Sequence, residues 1–164
     1  MNRISATVKA IEETDIVTFI RLECGDETVS IIKSKTPQWL AVGDKVTCCF
    51  QEASVCVSKD CPGKVSIENR LPATLKEVRE GDSLCELTFE SGMGRVVSLI
   101  TSHAFETLGL EKGCEATMLL RGVDVNIEPA TTFVDVDTYR EILVNGSLNP
   151  ASARTEDANK NVQQ

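Results

Sequence analysis

The chain is poor in aromatic residues, which make up 4% of its 164 positions, and it holds a single histidine, His103. It also lacks a surplus of positive charge: 17 Lys and Arg stand against 25 Asp and Glu, for a formal net charge of −8. Nucleic-acid binding rests on neutralising phosphates with cations and stacking bases on aromatic rings, so neither DNA nor RNA is an expected partner. No apolar run approaches the roughly 18 residues that a bilayer span requires, and no membrane segment is expected. Met1-Asn2-Arg3 leads directly into patterned sequence without the apolar stretch of a secretory signal, so the expected location is the cytoplasm. No Walker A motif is present, and His103 has no Ser or Cys partner motif that would make a catalytic triad. No enzyme activity is expected.

Seven cysteines are an odd number, and without a secretory context they read as reduced thiols rather than a disulfide framework. Cys48, Cys49, Cys56 and Cys85 occupy apolar strand positions and are expected to be small buried hydrophobes. Cys56 and Cys61 are not spaced as a CxxC pair, and no second pair completes four ligands, so no metal cation site is expected.

What is present is an internal repeat. Asn2-Arg3-Ile4-Ser5-Ala6-Thr7-Val8-Lys9 returns as Asn69-Arg70-Leu71-Pro72-Ala73-Thr74-Leu75-Lys76, an offset of 67 residues, and seven of the fourteen positions from 2 to 15 are identical across it. Later in the unit Val46-Thr47 answers to Ala116-Thr117, and Val55 and Val57 to Val125 and Ile127, an offset of 70. Two copies of one unit of about 65 residues therefore fill roughly 1–128. A unit that small buries only about 60% of its unfolded surface, so tandem packing or oligomerisation is expected.

Within each copy, apolar residues alternate or run in short β-branched stretches. Ala6–Ile11, Ile16–Leu22, Thr28–Ile32, Val46–Phe50 and Ser54–Val57 read as strands, with a hairpin turn at Gly25-Asp26. Thr36-Pro37-Gln38-Trp39-Leu40 reads as a short helical turn, with Trp39 expected in packing. Copy two repeats the plan with strands Ala73–Val78, Ser83–Phe89, Arg95–Ile100, Glu115–Leu120 and Asp124–Ile127, and a helical turn at Ser102–Leu108. The expected fold is all-β: two tandem OB-like five-stranded antiparallel barrels, each with a short helical turn. The expected divisions are repeat 1 over 1–58, a linker over 59–65, repeat 2 over 66–128, a docking segment over 129–146 and a disordered tail over 147–164. The acidic stretches Glu12-Glu13 and Glu86–Glu90 are expected to be solvated strand faces, and His103 to be solvated.

Two stretches resemble a known family. Ser66-Ile67-Glu68-Asn69-Arg70-Leu71 resembles the S-A-R-N-x-L opening of the molybdenum-pterin-binding (Mop, or TOBE) domains. Val97–Gly113 resembles the same family's I-T-x-x-(S/A)-x-x-x-L-G-L-x-x-G signature. Copy one matches less well, with Lys33-Ser34-Lys35-Thr36 in place of the I-T-x-x-S element, and Glu68 stands where the family has Arg. A tandem pair with no winged helix is similar to a di-Mop molbindin. The resemblance implies a cytoplasmic protein that binds molybdate or tungstate at interfaces between Mop units, for storage or homeostasis. It also implies a homo-oligomer, trimeric or other, with molybdenum-enzyme or transporter components as possible partners. The alternative is a regulatory or protein-interaction module of the same fold that has lost the oxyanion.

A tetrahedral dianion offers only acceptors, so its site must supply hydroxyls, amides, backbone N–H groups and cations. Carried over from the family, the candidates in copy two are Ser66, Asn69, Arg70, Thr101, Ser102 and Arg121, with backbone donors expected at the Ser66–Arg70 turn and after Thr101. In copy one they are Asn2, Arg3, Lys33, Ser34, Lys35 and Gln51.

Overall fold

A computed structural model describes residues 1–60 and 62–130; Cys61, all but the first two residues of the segment expected over 129–146, and the tail expected over 147–164 lie outside the described residues. The first repeat forms β1 (Asn2–Glu13), β2 (Thr18–Cys24), β3 (Glu27–Lys33), β4 (Lys45–Phe50) and β5 (Cys56–Ser58). The second forms β6 (Asn69–Glu80), β7 (Leu84–Ser91), β8 (Gly94–Thr101), the helix α1 (Ser102–Leu108), β9 (Glu115–Leu120) and β10 (Asn126–Pro129). A 3-10 turn precedes each last strand, at Glu52–Ser54 and Gly122–Asp124, and takes residues that alternation alone assigns to the strands.

Alternation has its expected consequence. In β2 every second residue, from Thr18 to Cys24, is buried and the intervening Phe19, Arg21 and Glu23 are exposed. Long β1 and β6 are each broken by an irregularity in register, between Val8 and Ala10 and between Leu75 and Glu77, at the same point of the repeat. Here the backbone groups of Val8 bond Gly43 and Asp44, and those of Leu75 bond Gly113 and Cys114, so at the bulge each long strand is held on its other edge by the loop that leads into the fourth strand. Cys24, Cys48, Cys49 and Cys85 are buried as small hydrophobes, while Cys56 is exposed, because the short β5 turns that position outward. A hydrogen bond to Cys24, reinforced by burial, pushes the Cys48 thiol far above the ordinary range, so it stays protonated.

The helical turn is present in one copy only. Thr101 caps α1, its hydroxyl accepting from the Ala104 N–H at 3.1 Å, and Gly109 closes it in the left-handed conformation. In copy one, Thr36–Leu40 makes a single turn, closed by the Leu40 N–H on the Pro37 carbonyl at 3.0 Å. Pro37 disfavours a helical conformation at Thr36, and the next turn, closed by the Asp44 N–H on the Ala41 carbonyl at 3.1 Å, is a separate one. Trp39 packs half-buried against the core.

The two sheets do not each consist of one repeat. One has the order β10-β4-β1-β2-β3 and the other β5-β9-β6-β7-β8. The last strand of each repeat has crossed to the other repeat's fourth strand: Ile127 lies opposite Cys48, and Val57 opposite Met118. We call the sheet around β1 lobe 1 and that around β6 lobe 2. Their buried side chains form one continuous core, from Ile4, Val8, Leu22 and Phe50 to Leu75, Phe89, Met118 and Leu120.

Two asparagines lock the exchange. Asn69, 3% exposed, opens β6 in lobe 2 and pairs its amide with Ser30 on β3 of lobe 1. The Ser30 N–H donates to Asn69 Oδ1 at 2.7 Å, while Asn69 Nδ2 donates to the Ser30 carbonyl at 2.9 Å and the Leu120 carbonyl at 3.0 Å. Asn2, one repeat earlier, does the same to Val97 on β8, with both bonds at 2.8 Å. Each side chain imitates a strand residue and satisfies an edge that no strand covers. The hairpin tips also meet: the Asp26 N–H donates to the Gly92 carbonyl at 2.9 Å, and Gly25 has a φ of +59° there.

Asn69→Ala or Asn2→Ala leaves a buried N–H and C=O unpaired, and each should lower stability by about 1–3 kcal/mol in urea unfolding. Gly25→Ala should be at least as damaging, since a Cβ there would lie 2.3 Å from the Gly92 oxygen in an unfavourable φ region.

Candidate functional site

The exchange redistributes the candidate residues. Read along the chain they form one group per copy; in space each group is divided between the copies. On the first seam, the end of β3 with Lys33 meets the start of β10, where Lys33 Nζ donates to Asn126 Oδ1 at 2.5 Å. Ser34 and Lys35 follow Lys33, and the Gly122–Asp124 turn, preceded by Arg121, packs on Ser30 and Ile32 of β3. Asn69 is clamped to the same strand. On the second seam, the Val55 carbonyl accepts from Ser98 Oγ at 2.6 Å, which ties β8, and with it Thr101 and Ser102, to the turn that Gln51 precedes. Asn2 is clamped to this strand.

Several candidates have their donors engaged inside the fold. Both Nδ2 protons of Asn69 are bonded to carbonyls, and Asn69 and Arg70 lie in β6 rather than in a turn. The Arg70 guanidinium holds three carbonyls of the linker region, of Gly63 at 3.2 Å, Val65 at 2.5 Å and Ile67 at 3.4 Å. Arg121 makes a two-pronged pair with Asp124, at 2.8 and 3.2 Å. Arg3 pairs with Glu128 of the exchanged β10 and reaches Cys49 Sγ at 3.7 Å. Thr101 serves as the cap of α1, and Ser102 donates its N–H to the Ser83 carbonyl and its hydroxyl to the Gly81 carbonyl, both at 2.9 Å.

The remaining candidates are unengaged. The side chains of Ser34, Lys35, Gln51 and Ser66 are exposed and make no hydrogen bond or ion pair among the described residues. Lys33 has protons beyond the one on Asn126, and partial burial holds its ammonium below the usual lysine value. The first seam therefore combines a hydroxyl, two ammonium groups and an arginine whose pairing is exposed to solvent. Such a set can meet a dianion from several sides.

Glu68 takes a place that reading along the chain does not assign to it. Its carboxylate accepts from the Gly122 N–H at 2.9 Å, so an acidic side chain of repeat 2 lies beside the Arg121–Asp124 pair. Asn126 and Glu128 are further seam residues missed in sequence, because their partners Lys33 and Arg3 lie in the other repeat, while Asp124 pairs with Arg121 of its own. Ser98, wholly buried, had a visible signal as a lone hydroxyl in the apolar run Val96–Ile100. His103 is exposed. Among the described residues one groove of about 450 Å³ lies beside Glu90 and Glu115 and another of about 310 Å³ beside Phe19, and neither is lined by the candidate residues.

Residues 65–127, most of the second unit, match the TOBE domain family model. Among solved structures, the chain is similar to the cytoplasmic molybdate-binding protein ModG, in a crystal form with molybdate bound. The TM-score is 0.73 at 23% identity, covering 79% of this chain and 96% of that one. That likeness is one of fold, and it extends over both repeats. No curated protein sequence matches.

The lowered Lys33 value has a pH consequence. The unfolded chain binds this proton more tightly than the folded one, so its contribution opposes folding at neutral pH. The opposition fades as pH rises from the lowered folded value through the 10.5 of a free lysine. Stability should gain a positive pH slope in that window, and Lys33→Met should remove it; urea unfolding across pH 8–11 checks this.

Proposed function

We propose that this Mop/TOBE protein binds molybdate or tungstate along the seams between its exchanged repeats and holds the oxyanion for storage or homeostasis in the cytoplasm. The observation that carries the reading is the likeness in fold to a molybdate-binding protein over nearly the whole of that protein's length, together with the TOBE match at 65–127. Lys33, Ser34, Lys35 and Arg121 on the first seam are the residues we assign to the ligand, with Ser66 nearby in sequence to Glu68. Thr101, Ser102 and Gln51 offer a weaker set on the second. Asn2, Asn69 and Arg70 organise the backbone around these groups, and Arg3 secures β10. Further copies of the chain, in a trimer or another oligomer, would close the exposed sides of the seams. Molybdenum-enzyme or transporter components are the partners to which such a protein would deliver its cargo.

A second reading is favoured by one observation. The seam arginines already face carboxylates of their own chain, Arg121 with Asp124 and Arg3 with Glu128, and Glu68 occupies the Gly122 N–H. An oxyanion-free interaction module would have this arrangement.

Thermal unfolding with graded molybdate, tungstate and sulfate separates the two. A ligand at a hundred times its Kd stabilises by about 2.7 kcal/mol per site, a rise in Tm on the order of 5–10 °C for a chain of this size. The expected outcome is a rise with molybdate or tungstate and none with sulfate; no rise with any of the three supports the interaction module. Lys35→Ala should weaken the response by roughly tenfold in Kd with no change in the ligand-free Tm, and Arg121→Ala by a similar factor, in line with the about 1.5–3 kcal/mol of a charged hydrogen bond.

A further inference from the structure

The two lobes share a backbone plan and differ on one outer face. In lobe 2, Arg79 bonds Glu86 at 2.9 Å and Arg95 bonds Glu77 at 3.0 Å, closing the outward side of β6, β7 and β8 with ion pairs. The positions 67 residues earlier in lobe 1 are Glu12 with Phe19, and Thr28 with Ala10, and neither pair can form. Phe19 is 42% exposed, and Ile16 in the neighbouring turn is 84% exposed; their lobe 2 counterparts are Glu86 and Ser83. A groove of about 310 Å³ opens on this face, lined by Ala10, Glu12, Phe19, Ile20, Arg21 and Ser30.

The strand exchange decides what lies within reach of it. Because β10 belongs to the sheet of lobe 1, the chain leaves the described fold on lobe 1, although it does so from the end of the second repeat. Both β10 and β1 run antiparallel to β4, so β10 points along β1 toward Ala10, with Pro129 level with Val46 and Ala6. The groove lies two to three strands across, about 10–14 Å at the usual spacing, and four residues further along, about 13 Å. Roughly six extended residues cover the diagonal. Residues 131–164 lie outside the described residues, and most of their large apolar side chains fall together, as Phe133, Val134, Val136, Tyr139, Ile142 and Leu143. The same stretch carries Asp135, Asp137, Glu141 and Arg140, and the groove carries Arg21 and Glu12, an opposite charge for each sign.

We infer that residues 133–143 dock on the outer face of lobe 1, seated on Phe19 and Ile16 and directed by Arg21, while the ion-paired face of lobe 2 stays bare. The segment covers apolar surface that its own lobe leaves open.

Photo-crosslinking of the full-length chain tests this, with p-benzoylphenylalanine in place of Phe19 and a mixture of ¹⁴N- and ¹⁵N-labelled copies. The expected product joins position 19 to residues 133–143 of the same isotope. Crosslinks between labels, crosslinks into 1–130 of another copy, or no crosslink would overturn the assignment. Hydrogen exchange on Phe19→Glu and Ile142→Asp gives a second measurement that does not depend on the probe. Either substitution should speed exchange in 133–143 by about tenfold and leave β6–β9 unchanged; equal rates in wild type and both variants would also overturn it.

Discussion

The reciprocal exchange of the last strands is the constraint on which the rest of this structure depends. A five-stranded sheet of about 65 residues has little core of its own, and here each sheet is completed by the other repeat. The exchange by itself leaves β3 and β8 with uncovered backbone along the seams. Asn69 and Asn2 meet that need, since a carboxamide carries the same donor and acceptor as a peptide group and can pair with both groups of one residue. The lobes are thus joined by two β-ladders, two amide clamps and a pair of touching hairpin tips, all about one approximate twofold relation.

The same constraint shapes the chemistry. Arg3 reaches Glu128 across β4, and Lys33 is held by Asn126, because β10 has been brought onto β4 with its start at the end of β3. Each seam draws its polar groups from both repeats, so neither half of the chain contains a complete set. The first seam is the richer in cations and the second in hydroxyls, and any oxyanion chemistry will be unequal between them.

Much of the fold was legible in the sequence because its causes are local. Alternation located nearly every strand, the repeat gave the two-unit plan, and the Thr101–Gly109 pattern marked α1 with its cap and stop. Thr36–Leu40 was misread as helical because a Pro at a favoured position suits a turn equally well. The partner of each last strand was not legible: Val57 and Ile127 have the right pattern for either sheet, and the choice between them is tertiary. That one ambiguity also obscured the site. Asn69 was legible as polar and positioned in a motif, yet its partner Ser30 lies in the other repeat, so a backbone clamp looked like a ligand. Glu68 and Gly122 were likewise separated by most of a repeat. Cys56 looked buried because its neighbours in sequence are apolar, while its place on a three-residue strand turns it outward.

The exchange also limits how the two halves can differ. A residue on a seam serves the partner repeat as much as its own, so a change there disturbs two sheets at once. The asparagine clamps and the glycines at the hairpin tips, Gly25 and Gly92, are the same in both copies. The outward faces carry no such shared duty, and it is there that Phe19 stands against Glu86 and Ala10 against Glu77. A duplicated chain locked in this way keeps its clamps and hairpin tips as a matched pair, and acquires its individuality in the side chains around them and on the outer faces.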